Sequence, residues 1–414
     1  MATMVALLVP ALLVLPGCNG GDKPEDKHFQ ATALAAPPEL GTLFTMETAG
    51  PQLTWQLAHA KNEQVQREVA TLLHTADEAL TAPVHDITSK EQTPPSGDKH
   101  DYYSWSDYYH PDPKNPEGPY IRKDGERVPD LDSLPDKKQL RAMLSNVTTL
   151  SLAYYVTGRQ PYADKVAEHL KSWFLNPKTR MLPRLKFAQF VRNRDTADTG
   201  GKGIIDAFNM PQALDAARLI LPSKALTAKD NTELAKWFNA YLDWLTTSEQ
   251  GKEEAAYGNN RTTWYTAQVI ALAGQLDRQN VAVEYIERAK TVINEQVDKD
   301  GKQGGELSRT NSWDYSASNA YALTRMALAA KPLGTDLFQF TAQGGGSIRM
   351  ALAYIAPVAK GDDWPGDNKH SVEPKLAQPA IRIGAYAYQD DDMREGDSKT
   401  PPQPWALAAF PVKH

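Results

Sequence analysis

Three clusters in this chain of 414 residues combine residue types that can hold anions or move protons. The first is Tyr257-Gly258-Asn259-Asn260-Arg261-Thr262-Thr263-Trp264-Tyr265, just ahead of the apolar run Val269 to Leu276. Amides and a guanidinium opening a helix make an anion-binding arrangement, because free backbone N–H groups and the helix dipole point the same way. Simple N-capping by Asn259 or Asn260 has the same spacing. The second cluster, Gly304 to Tyr315, sets Arg309 and Tyr315 six residues apart. A cation beside a phenol lowers the cost of the phenolate, so this pair suits proton transfer, although a surface ion pair and a core tyrosine would look alike. The third is His100-Asp101-Tyr102-Tyr103-Ser104-Trp105 with Tyr108-Tyr109-His110-Pro111-Asp112-Pro113. Its aromatic and hydroxyl content suits a sugar ring, which offers one apolar face and a rim of hydroxyls; the same rings can equally anchor a loop.

The elements that must position these clusters are helical. Apolar residues recur at helix spacing at Val65, Val69, Leu72, Leu73, Ala76 and Leu80, and again at Leu140, Met143, Leu144, Val147 and Tyr154. Ala163 to Phe174, Leu234 to Leu245 and Tyr285 to Ile293 continue the pattern. No sustained alternation of period two appears; Ile381 to Tyr388 alternates, and its neighbours favour helix there. Residues 81–135 read as a long proline-rich loop, of a length uncommon in a compact domain unless it is functional or ordered by its own packing. Many antiparallel helices with short turns and no strict repeat predict one all-α domain over residues 40–414, a helical array or a closed toroid of helical hairpins.

Composition narrows the function. Forty-five basic against 51 acidic residues give a net charge of -6, with no basic stripe of the kind that neutralises phosphates, so nucleic acid is not an expected partner. A single cysteine excludes an internal disulfide and a thiolate-rich metal site. The acidic residues show no metal-ligand spacing; Asp390 to Asp392 reads as a solvated turn, and neither a metal nor a cofactor is expected. Cys18 follows an apolar run from Met4 to Leu15 that is too short for a permanent membrane span, and Leu15-Pro16-Gly17-Cys18 resembles the lipobox of bacterial lipoproteins. Residues 1–18 are therefore expected to be a signal peptide and 19–39 a flexible tether, so that the membrane is met only through a lipid anchor. Asn19 rather than Asp after Cys18 favours an outer-membrane over another exported, periplasmic destination.

Further matches extend along the chain: Pro119 to Gly125, Tyr162 to Met181, Phe187-Ala188-Gln189, Gly203 to Asp206, and Gly345 to Arg349. With the three clusters these segments resemble the alginate lyase family of polysaccharide lyases, over about residues 98 to 365. The resemblance implies an (α/α) toroid with a substrate cleft or tunnel, and an acidic polysaccharide cleaved by β-elimination; a monomer is expected. It places Tyr315 at the family's catalytic tyrosine. Elimination in a 1,4-linked uronan removes the C5 proton, so the neighbouring carboxylate must be neutralised, for which Asn260 and Arg309 are the candidates. Asn259, Arg261, Tyr265, Gln189, Tyr109 and His110 are the expected substrate contacts, with Arg184 as a further subsite residue. Trp173, Phe174 and Trp264 read as core, and Gly345 to Arg349 as a helix start.

One departure stands out. Relatives usually carry Asn-Asn-His where this chain has Asn259-Asn260-Arg261, and arginine stays protonated, so it can neutralise a carboxylate but not act as a base. His110 is then a second candidate base. Two other classes remain: a hydrolase, which would need two carboxylates in the cleft such as Glu306 and Asp206, and a non-catalytic glycan-binding lipoprotein. For export the expected outcome is that a fatty-acid analogue fed to the host labels the wild type and not Cys18→Ala; equal labelling of both would show that Cys18 is not acylated.

Overall fold

The computed structural model describes residues 37–59, 63–193, 201–390 and 392–393; Cys18, the expected leader and most of the expected tether lie outside them. Thirteen α-helices and four short strands follow in chain order. They are α1 (Ala49–His59), α2 (Glu63–Thr81), β1 (Tyr103–Trp105), β2 (Tyr109–His110), β3 (Ile121–Arg122), α3 (Asp136–Thr157), α4 (Gln160–Leu170), β4 (Phe187–Phe190), α5 (Gln212–Leu219), α6 (Ala228–Thr247), α7 (Glu249–Ala255), α8 (Asn260–Gln275), α9 (Gln279–Gln296), α10 (Gly304–Leu307), α11 (Ser312–Ala330), α12 (Ile348–Lys360) and α13 (Gln378–Tyr388).

Two kinds of helix alternate. α6 buries Leu234, Trp237, Phe238, Tyr241, Leu242 and Leu245, and α9 buries Ala282, Tyr285, Ile286, Ala289, Val292 and Ile293, each one apolar stripe with polar residues outward. α8 and α11 are buried nearly all round: every residue of α8 except Arg261, and every residue of α11 except Tyr315 and Ser318. A helix without a solvent face must sit inside a ring of others. α11 packs on α8, α12 and α13, α8 on α6 and α9, and α3 on α2, α4 and α5. This is an (α/α) toroid, with one hydrophobic cluster running from Leu43 to Met393. Ile381 to Tyr388 lies in α13, so the helical reading of that alternating stretch was the right one.

The 81–135 segment departs from the expected loop. β1 pairs parallel with β4, Tyr103 opposite Phe187, and β2 pairs antiparallel with β3, Tyr109 opposite Arg122. Strands this short gave no periodic signal in the sequence, because two or three residues cannot display alternation. The base of the segment is fixed by Lys90, wholly buried, which donates to the carbonyls of Ile87 (2.7 Å) and Asp101 (2.9 Å) and to Asp136 at the start of α3 (2.6 Å). Asp136 also accepts from the Tyr103 backbone N–H (2.9 Å), so one buried ion pair pins both β1 and the strand it pairs with.

His169 in α4 is buried, and neither ring nitrogen has a hydrogen-bond partner among the described residues. Burial, then nearby Lys165, lowers its pKa from 6.5 to about 4. Between those values the unfolded chain binds a proton that the folded chain refuses, so stability falls as pH drops from about 6.5 toward 4. His169→Leu is expected to move the acid-unfolding midpoint, followed by circular dichroism, to lower pH; an unchanged midpoint would mean that other groups govern acid unfolding.

Candidate active site

The only three unburied positions of α8 and α11, Arg261, Tyr315 and Ser318, all face one cleft of about 190 Å³. Around them stand Tyr108, Tyr109, Arg122, Lys137, Arg141, Gln189, Lys202, Tyr257, Asn260, Trp264 and Arg309. Six of the lining residues are cationic and one, Asp107, is a carboxylate, so the cleft suits an anionic ligand. Among the described residues no group of three or more His, Cys, Asp or Glu is arranged to hold a metal.

Asn260 is the first residue of α8, capped by Asn259, whose Oδ1 accepts from the Arg261 backbone N–H (3.1 Å). Glu306, buried in α10, accepts both the Asn260 backbone N–H (2.5 Å) and its Nδ2–H (2.8 Å). Two bonds from one carboxylate fix the amide and leave its second N–H for a ligand. Burial pushes the Glu306 carboxyl up to about 7, against the pull of the Asn260 hydrogen bonds.

Tyr315 donates its phenolic hydrogen to the Tyr108 oxygen (2.8 Å), which joins α11 to the residue before β2. The Arg309 guanidinium lies 3.7 Å above the Tyr315 ring centre and grips Asp124 with two bonds, Nη2 to Oδ1 (2.8 Å) and Nε to Oδ2 (3.1 Å). Thr310 Oγ1 and Arg122 also bind Asp124. Against partial burial, Arg309 and Thr310 hold the Asp124 carboxyl at about 2. The expected lowering of the Tyr315 pKa by Arg309 is not what the structure gives. Burial and the neighbouring Tyr108 raise it well above its ordinary value, and Arg309, its charge already matched by Asp124, offsets only part of this. Tyr315 rests protonated.

Arg261 is held in the same manner. Its guanidinium pairs with the fully buried Glu254 through Nε (3.2 Å) and Nη2, and stacks 3.9 Å from the Tyr257 ring centre. Burial lifts the Glu254 carboxyl to about 7 although Arg261 opposes this. On the far wall Gln189 adopts the left-handed conformation (φ 50°) at the irregularity where β4 slips against β1. A non-glycine residue there is strained and needs fixing. Its N–H donates to Ser104 Oγ (2.8 Å) and its Nε2 to Asp206 Oδ1 (2.9 Å), which aims the amide at the cleft. Against its burial, Lys137 and Arg141, with hydrogen bonds from Gln189 and Ser104, keep Asp206 below its usual range.

The structure thus brings together Asn260, Arg261, Arg309, Tyr315, Gln189 and Tyr109. Others it does not. Tyr265 is core: its hydroxyl is spent on the Leu245 carbonyl (2.8 Å) and Tyr285 (2.9 Å), because its position on α8 points away from the cleft. Asn259 is a cap and does not line the cleft. His110 follows Tyr109 in a strand, so it faces the other way, its Nε2 against the Glu126 carbonyl (2.9 Å), and cannot serve as a cleft base from there. Arg184 forks onto Asp101 (2.6 and 2.8 Å). Trp264 is buried as expected yet also walls the cleft. Ser347 caps α12, so Gly345 to Arg349 is a helix start. Glu306 and Asp206 stand behind Asn260 and Gln189 rather than in the cleft, which removes the carboxylate pair a hydrolase needs. Tyr108 and Asp124 lie in segments that the sequence singles out, without a role of their own there, whereas Glu254 and Lys202 carry no signal in the sequence. Lys137 and Arg141 were findable, since they lie four apart on one face of α3.

Donors aimed by buried carboxylates, a phenol with a hydrogen-bonded partner and a surplus of cations are what neutralisation of a uronate and proton transfer at its ring require. Comparison with known proteins agrees. The sequence model of the alginate lyase family matches residues 86–364, about two thirds of the chain. The crystal structure of an alginate lyase from Bacteroides ovatus is 31% identical, with a TM-score of 0.83 over 90% of this chain and 100% of that one. Alginate lyase A1-III from Sphingomonas species A1 is 15% identical at a TM-score of 0.52, over 83% of this chain and 95% of that one, and shares the fold. A tyrosine-to-phenylalanine variant of A1-III, complexed with a tetrasaccharide, gives a TM-score of 0.53 at 15% identity, over 83% of this chain and 94% of that one. No curated protein sequence matches. From the matched sequence model and the relative that spans its length, this chain belongs to the alginate lyase family and is a polysaccharide lyase.

Proposed function

We propose that this lyase cleaves mannuronate-rich alginate or glucuronan in preference to poly-guluronate, with Tyr315 as the proton-transfer residue. The observation that carries the reading is the shared cleft of Tyr315 and Asn260, the one a proton carrier and the other a fixed amide donor. In the reaction the substrate carboxylate is neutralised by the free N–H of Asn260 with help from the cations around it. Tyr315, a phenol at rest, reacts after losing its proton to solvent: the C5 proton passes to the phenolate oxygen, the C5 electron pair closes the C4–C5 double bond, and the O4 bond breaks. The same phenol then gives its proton to O4, so no proton is gained or lost overall. One group can do both only when the C5 proton and O4 share a face of the ring, as in mannuronate and glucuronate units and not in guluronate. Arg261, ion-paired and stacked, supports this preference because it offers no base on the opposite face.

Export as a lipoprotein is part of the same reading and rests on the leader and Cys18 alone. Action as a monomer is likewise part of the reading.

Asn260→Ala is expected to fold and to lose about 100- to 1000-fold in turnover, the usual cost of removing a preorganised donor to a developing oxyanion; turnover within a few-fold of wild type would assign neutralisation to another residue. Tyr315→Phe should abolish formation of unsaturated ends, read by ultraviolet absorbance, with a nearly unchanged melting temperature. Retention of comparable rates would sink the assignment, as would preference for poly-guluronate in the wild type. Because the phenolate fraction of a raised-pKa tyrosine grows with pH, kcat/KM should climb from pH 7 to beyond 9. A maximum near neutrality would point to a different base.

A further inference from the structure

Tyr257 stands out among the described residues. It is the one aromatic ring among their exposed large apolar side chains, 46% accessible, and it lines the cleft three residues before Asn260. An exposed ring is usually mobile, but this one is held by its backbone turn and along one face. The chain leaves α7 through it and turns at Gly258, which adopts φ 83° and donates its N–H to Thr262 Oγ1 (2.9 Å). One face of the ring rests on the Arg261 guanidinium, whose charge is anchored by the fully buried Glu254. The covered face being taken by Arg261, the exposure belongs to the opposite face and the edge.

A flat ring held rigidly at the border of a carbohydrate cleft is a surface on which the apolar face of a pyranose can stack. Its backing adds selectivity. A bare aromatic face carries negative quadrupole charge, which repels a sugar bearing a carboxylate; a guanidinium at 3.9 Å behind the ring opposes that field. We infer that Tyr257, backed by Arg261, is a stacking platform for a uronate ring next to the cleavage point, and that it acts on binding rather than on the chemical step. This rests on the reading of the cleft as a polyuronate site. It gives the Arg261 substitution a positive role: a cation that cannot be a base becomes the support of a specificity-determining ring.

Binding is measured by calorimetry with a mannuronate hexasaccharide in a Tyr315→Phe background, which keeps the oligomer uncleaved. Tyr257→Ala should weaken binding about five- to tenfold, the range of one stacking contact, while Tyr257→Phe, which keeps the ring, should stay within about twofold. In the Tyr315-containing enzyme Tyr257→Ala should raise KM by a similar factor and change kcat by less than about threefold. Unchanged affinity in the alanine variant, or equal loss in the alanine and phenylalanine variants, would overturn the platform, the second by assigning binding to the hydroxyl. A fall in kcat at constant KM would overturn it too, placing Tyr257 with the chemistry. Should the Tyr315→Phe background itself cleave the oligomer, the proton-transfer assignment fails separately, and the hexasaccharide affinities are then read with Asn260→Ala.

Discussion

The ion pair between Asp124 and Arg309 is the constraint on which the cleft depends, because it joins two parts of the chain that share no other secondary structure. Asp124 ends the segment carrying β2 and β3, and Arg309 precedes α11. Once the pair forms, Tyr108 is brought to the hydroxyl of Tyr315, and the Arg309 side chain is laid flat over the Tyr315 ring. A half-buried bidentate pair of this kind has directional strength that a surface ion pair lacks. Lys90 and Asp136 do the corresponding work at the root of the segment, where complete burial makes the pairing obligatory: either charge alone would be stranded.

The same device recurs along the cleft. Asn260 is aimed by Glu306, Arg261 by Glu254, and Gln189 by Asp206. In each case the residue that faces the cleft is a donor, and the residue behind it is a carboxylate buried out of reach. Preorganisation of donors costs stability, since three carboxylates are taken from water, and it is repaid in orientation: no donor has to find its place while the substrate waits.

How far the sequence discloses this arrangement depends on the range of the interaction. Helices such as α6 and α9 are legible because each writes its buried stripe within about twenty residues. α8 and α11 present Asn260, Arg261 and Tyr315 to the cleft from their first turns, and the sequence clusters around Asn260 and Tyr315 span those helix starts. Orientation is another matter. Tyr265 and Tyr315 are both tyrosines in matched motifs, yet one turns to Leu245 and the other to the cleft, and only the packing of α8 against its neighbours decides which. Asp124 and Glu254 are acidic residues without local context, 185 and 7 positions from the arginines they hold, and β1 to β3 are too short to carry a period. Arg309 was visible as a residue beside Tyr315, but its effect there depends on a carboxylate that the local sequence does not contain.

The partnered cations of the cleft bear on turnover. Arg122, Lys137, Arg261 and Arg309 each already have a carboxylate partner, so the cleft is far less positive than its six cations suggest. A groove of unopposed lysines and arginines would hold every polyanion it met, reactant and fragment alike, and the enzyme would stall on its own output. Here four of the six cations are already balanced by an internal acid, so a bound uronate gains less from each of them than from a bare charge, which favours release of the shortened chains and the next cycle.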